Sequence, residues 1–283
     1  MTVCVAIKVH DCIVFAADSA SSLSGVDDQG NATIYNVWSH GLKVFNLHKG
    51  LPLTAMTCGL GHLGPVSIST LAKDLRLNLS REDSPERLNE QRYEVRQVAE
   101  KSLDFFRGVY EALEDKPVGG SLEFWVGGYG RPDGSGEIWK IALINGEWHG
   151  PLQVAAADTQ QIIAWAGQPE AINRLVIGFD MQLYDALRDA GVDENEVGPI
   201  IEQLQARTET RLVHAAMPVQ DAINLADFLV DITKRYFSFK PGADIVGGDT
   251  DIAVVTKHEG FKWIKRKHYY PAALNPVETN HVQ

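Results

Sequence analysis

Apolar and polar positions along the chain change period several times, and each change marks an element. Residues 2–9 alternate small or polar with β-branched side chains, and residues 12–17 form a second apolar run, with His10-Asp11 between them. Two such runs joined by a short polar pair predict a β-hairpin at the start of the chain. The polar stretch 19–36, which holds Gly25, Asp27, Asp28, Gly30 and Asn31, reads as a long loop. Strands resume at 42–47 and 53–58, the second running into Gly59, Gly61 and Gly64.

Helical spacing follows. Pro65 suits a first helical position, and Leu71, Leu75 and Leu79 fall on one stripe of the helix it opens. Ser84-Pro85 reads as a second start, and Leu88, Val95, Val98, Leu103, Phe106, Val109 and Leu113 give that helix an apolar face about eight turns long. Strands are expected at 122–128, 137–144, 147–149 and 162–166, with Asn145-Gly146 as a two-residue hairpin turn. Two more helices are marked by Val197, Ile200, Ile201 and Leu204 and by Ala222, Leu225, Ala226, Leu229 and Ile232. Strands at 251–257 and 261–265 close the pattern. This order predicts an α+β fold with layered antiparallel sheets and helices on their outer faces. A single domain over 1–267 and a C-terminal tail over 268–283 are expected, since no repeat or low-complexity linker interrupts the pattern.

Composition narrows the classes. No apolar run approaches the roughly 20 residues of a membrane-spanning helix, and the opening lacks a signal-peptide layout, so a cytoplasmic protein with no membrane partner is expected. The formal charge of −11 argues against a nucleic-acid surface. The one basic cluster, Lys262, Lys265, Arg266 and Lys267, reads as a solvated strand edge. Cys4, Cys12 and Cys58 show no CxxC spacing and read as buried, reduced thiols, while His10, His40, His62 and His214 lie scattered without metal-ligand spacing. Neither metal nor cofactor is expected. Trp125, Tyr129, Trp139, Trp148 and Trp165 read as sheet packing rather than a ligand platform.

The remaining chemical signal is the N-terminus. Met1 precedes a small residue, Thr2, and aminopeptidase removal of Met1 would make Thr2 the first residue of the chain. A free α-amine has a pKa of about 7.7–8.0, so near pH 7 a fraction is neutral and can take the proton of the same residue's hydroxyl. Nucleophile and base then belong to one residue. A hairpin turn near His10-Asp11 returns Asp18 beside Thr2, Lys43 opens the next strand, and Gly59 and Gly61 free the backbone to aim an amide N–H.

The opening TVCVAIKVHDCIVFAADSASS resembles the first hairpin of the proteasome β-type family of N-terminal nucleophile hydrolases, in the style of its bacterial ancestral-beta-subunit-like members. LKVFNL, MTCGLG and VGGDTDIAVVTKHEGF are similar to later stretches of that family, so the likeness runs from residue 2 to about 266. It implies a four-layer αββα sandwich of two antiparallel sheets flanked by helices. It implies Thr2 as nucleophile, Asp18 and Lys43 as its charged partners, and Gly59, or by a shift Gly61, as the oxyanion donor. Ser22 would start the edge that receives a peptide, and Thr57 would touch substrate. Gln168 and Asp244 would occupy supporting positions, both altered from the family pattern. The implied activity is cleavage of peptide bonds; a small-amide hydrolase and an inactive assembly subunit are the alternatives. A homo-oligomer, in a ring or stack, and an unfoldase partner are further implications. With nothing ahead of Met1, no pro-segment is expected.

Overall fold

A computed structural model describes residues 2–26, 32–117, 119–131, 134–243 and 245–267. In chain order the first strands are β1 (Val3–Lys8), β2 (Cys12–Ala17), β3 (Ser21–Val26), β4 (Ala32–Trp38), β5 (Val44–Asn46), β6 (Leu53–Gly59), β7 (His62–Leu63) and β8 (Val66–Ser67). Helices α1 (Ile68–Ser80) and α2 (Val95–Glu111) follow, then β9 (Ser121–Tyr129), β10 (Gly136–Ile144), β11 (Glu147–Ala155) and β12 (Ile162–Gly167). The last third holds α3 (Glu170–Val176), α4 (Gln182–Asp189), α5 (Glu194–Thr208), α6 (Val219–Phe239), β13 (Asp251–Thr256) and β14 (Gly260–Lys265).

The fold is mixed α/β with antiparallel sheets. Among the described residues one five-stranded sheet runs β12-β1-β2-β13-β14, and a second runs β11-β10-β9-β6-β5. Every residue of β1 and β2 is buried, so both faces of that hairpin are covered. Successive side chains in a strand point opposite ways. Val3, Val5, Ile7, Val14 and Ala16 therefore share one cluster with Ala222, Ala226, Leu229 and Val230 of α6, while Cys4, Ala6, Ile13 and Phe15 share another with Met56, Trp125 and Ile138 of the second sheet. The far face of the second sheet, through Ala55, Phe124 and Ile141, carries Leu71 and Leu75 of α1 and Val98 and Phe106 of α2. A Cβ at Gly127 would stand 2.7 Å from the Phe15 ring, so the smallest residue there lets Phe15 fill the space between sheets.

Several elements depart from the sequence reading. The stretch 19–36 is not a loop: Ser21–Val26 pairs with Ala32–Trp38 as a hairpin, its register running from Ser21↔Trp38 to Val26↔Ala32. Helix α1 begins at Ile68 rather than Pro65, because the Ser67 side chain accepts from the Thr70 N–H as its cap. Helix α2 begins at Val95 and has 17 residues, about five turns. Residues 84–94 instead send backbone bonds elsewhere, with Leu88 N–H donating to Leu79 O and Tyr93 O accepting from Arg131 N–H at 2.8 Å. β11 runs on to Ala155, past the expected end at His149. Helices α3 and α4 are additions that the sequence reading does not contain. The Asn145-Gly146 turn is formed as expected, with φ of 50° and 87°. The tail 268–283 and Asp244 lie outside the described residues.

Candidate active site

Register builds the site. Because Cys4 faces Ala17 across the hairpin, the next pair outward is Val3 and Asp18, at the end of the strands where Thr2 also lies. Asp18 N–H donates to Val3 O at 3.2 Å, and Asp18 Oδ1 accepts from Val3 N–H at 3.0 Å. A fully buried carboxylate needs more than one partner. Asp18 Oδ1 also takes Lys43 Nζ at 2.7 Å, while Oδ2 takes the N–H of Ala20 and of Gly247, each at 3.1 Å. Lys43 itself is 6 % exposed and Thr2 3 %.

Thr2 is held from its other side by β12. Its carbonyl accepts from Gln168 N–H at 2.8 Å, and a Cβ at Gly167, whose φ is +94°, would sit 1.8 Å from that oxygen. Only glycine fits so close to the Thr2 backbone. Thr2, Lys43, Thr57, Gly59 and Gly61 line one cavity of about 140 Å³, together with Ser21, Ser22, Ser67 and Ser69. Gly59 ends β6 with φ +96°, where a Cβ would meet Ser121 O at 1.9 Å, and Leu60 N–H fixes the turn by donating to the same oxygen at 2.8 Å.

Thr57 enters through its backbone: its N–H donates to Lys43 O at 2.8 Å, its carbonyl accepts from Cys4 Sγ at 3.1 Å, and its hydroxyl turns away to Glu123 O at 3.2 Å. Burial pushes the Cys4 thiol well above its ordinary pKa. Ser22, paired with Val37, lines both this cavity and an adjoining groove of about 730 Å³ whose apolar walls are Leu23, Ile34, Trp38 and Leu60. Gln168 reaches the site through its backbone, as described above. No three His, Cys, Asp or Glu side chains converge as metal ligands among the described residues.

The sequence reading missed a second buried ion pair beside the first. Lys267, expected to be solvated with its basic neighbours, is 8 % exposed and its Nζ lies 2.6 Å from Asp251 Oδ2, with Asp251 fully buried. A carboxylate opening the otherwise apolar strand DIAVVT was the available signal, since such a group demands a cation or several donors. Lys262 and Lys265 are exposed on the edge strand β14 and Arg266 is exposed just past its end, as anticipated.

A structural neighbour relates this arrangement to known proteins. The Anbu complex from Pseudomonas aeruginosa, solved as a helical assembly, superposes with a TM-score of 0.51 over 96 % of this chain and 90 % of its own. The fold is Anbu-like. Sequence identity to that neighbour is 18 %, so the likeness is one of fold. Anbu, the ancestral beta-subunit, from Yersinia bercovieri gives a TM-score of 0.47 at 16 % identity over 95 % of this chain and 89 % of its own, too low to add weight. No protein-family model matches the sequence, and no curated protein matches it. The resemblance to the proteasome β-type family of N-terminal nucleophile hydrolases is corrected accordingly. What ties this chain to known structures is an Anbu-like fold at low identity, and assignment to that hydrolase family does not stand.

Proposed function

We propose that this protein is an N-terminal threonine hydrolase that cleaves peptide bonds once Met1 has been removed. The observation that carries the proposal is the placement of Thr2 and Lys43 on one small cavity, with Lys43 Nζ 2.7 Å from a buried Asp18 that also bonds the Val3 backbone. Thr2 Oγ attacks the amide carbonyl while its proton passes to the Thr2 amine. The amine delivers that proton to the departing nitrogen as the C–N bond breaks, leaving an ester on Thr2. Water, deprotonated by the same amine, then cleaves the ester and restores the hydroxyl. Lys43, pinned by Asp18, supplies positive charge that disfavours a protonated amine. The Gly59 N–H is the proposed donor to the oxyanion.

The adjoining groove supports an extended substrate over a small amide, because Ser22 lies near the start of β3, whose apolar neighbours line about 730 Å³ next to the nucleophile. The helix-bearing sheets, stacked face to face, are read as the four-layer αββα sandwich. The helical assembly of the Anbu neighbour supports a homo-oligomer, and a cytoplasmic site of action is part of the proposal; no helix among the described residues is long and apolar enough to cross a membrane.

The deciding experiment is intact mass before and after incubation with a peptide epoxyketone, whose adduct needs both the hydroxyl and the free amine of Thr2. Loss of Met1 and gain of one adduct, absent in Thr2→Ala, is the expected result. A processed chain that never reacts, or a retained Met1 in native material, would assign the chain to the inactive assembly class instead.

A further inference from the structure

Behind Asp18 lies a polar chain that the hydrolytic reading leaves unused. Lys267 pairs with Asp251 at 2.6 Å, and its own N–H donates to Asp251 Oδ1 at 3.1 Å. The Lys267 ammonium also donates to the Ser19 hydroxyl, and that hydroxyl donates to the Asp249 carbonyl. Ser19 N–H in turn donates to Gly247 O at 2.9 Å. The 247–249 segment is thus fastened at both ends to Ser19. Its Gly247 N–H is one of the four donors on Asp18. Register explains the proximity, since Asp251 sits opposite Ala17, directly before Asp18.

We infer that Lys267 is a positioning residue for the Thr2 site: through Asp251 and Ser19 it holds the 247–249 backbone against Asp18, and Asp18 holds Lys43. The catalytic part of this inference rests on the threonine-hydrolase reading. The backbone hold does not. A buried ammonium this close to a buried carboxylate and a hydroxyl loses its freedom to reorient, so the loop bonded to that hydroxyl is fixed as well. Lys267 also lines a surface groove of about 860 Å³ between α6 and the end of β14, with Asp227, Lys234, Asp249 and Thr250, which puts solvent on one side of the pair and Ser19 on the other.

The test uses the processed full chain and the double variant Asp251→Asn/Lys267→Met, which leaves no lone buried charge and keeps an acceptor for the Lys267 N–H. Ser19→Ala, a small change, cuts the link while leaving the ion pair. Amide exchange read by NMR should be at least ten-fold faster at Gly247 in the double variant, and faster in the same sense for Ser19→Ala, with Val5 and Phe15 unchanged. Adduct formation at saturating epoxyketone should slow at least ten-fold, with the half-saturating concentration unchanged. Wild-type protection at Gly247 in both variants overturns the inference whether or not the wild type reacts. A loosened Gly247 with wild-type adduct kinetics overturns the positioning role. A loosened Gly247 in a protein whose wild type never reacts sinks the threonine-hydrolase reading and leaves the hold of Lys267 on Asp18 standing.

Discussion

The two ends of the first hairpin are built from the same pair of buried strands and come out opposite. At the Thr2 end a fully buried carboxylate collects four donors, and a second ion pair stands behind it. At the other end His10 and Asp11 are exposed, Lys8 donates to the carbonyl of Ala156 at 2.6 Å, and the buried Tyr129 hydroxyl has no hydrogen-bond partner among the described residues. Burying ionised groups costs free energy that only dense bonding offsets. The far end leaves His10 and Asp11 in water and buries one charge, Lys8, whose ammonium is met by the carbonyls of Ala156 and Ala157. The near end accepts that cost, which is how sites that need fixed charge differ from ordinary turns.

Removing the central group breaks the contrast most severely. Asp18→Ala leaves Lys43 buried without its carboxylate, and denaturant unfolding should show a loss of about 3–5 kcal/mol together with complete loss of the epoxyketone adduct. A stability within error of wild type would mean that the near end is no more demanding than the far one.

Cys12, where the far turn enters β2, offers a pH-dependent probe. Burial pushes its thiol from 9.0 up to about 12, so the folded state favours the neutral form. That contribution is fully present below pH 9 and is lost as pH rises through about 12. Urea midpoints followed between these values should fall more steeply in wild type than in Cys12→Ala, and equal slopes would contradict the assignment.

The smallest effects belong to the exposed turn. His10→Gln and Asp11→Asn should each change stability by no more than ~0.5 kcal/mol and leave adduct formation unaltered. A marked fall in rate would show that the far end communicates with Thr2 and would erase the distinction between them.

Much of the near end could be read from the sequence because its geometry is local. Alternating residues around His10-Asp11 fix which residue returns beside Thr2, and Lys43 stands immediately before β5. Lys267 was not legible, for a physical reason: Lys262, Lys265, Arg266 and Lys267 are the same chemistry in sequence, and only packing against Asp251 separates the last from the rest. Pro85 misled in a similar way. The signal for a helix start there is sound locally, but the following segment makes only isolated turns of its own and bonds outward to α1 and to the turn after β9. The β3–β4 hairpin hid behind its serines and glycine, whose low β propensity is outweighed by cross-strand pairing.

The pairing of Asp18 with Gly247 and of Ser19 with Lys267 spans 229 and 248 residues of chain. Contacts of such separation form late, because a long loop must close before they reward it. During synthesis β1 and β2 emerge long before β12 and β13, the strands that flank them, so the nascent hairpin waits first with both edges unpaired and then with the β2 edge open until β13 arrives. A ribosome-bound chain therefore carries Thr2 but not the cage around Asp18. On the hydrolytic reading, the order of translation itself keeps the nucleophile idle until β13 and Lys267 have been made.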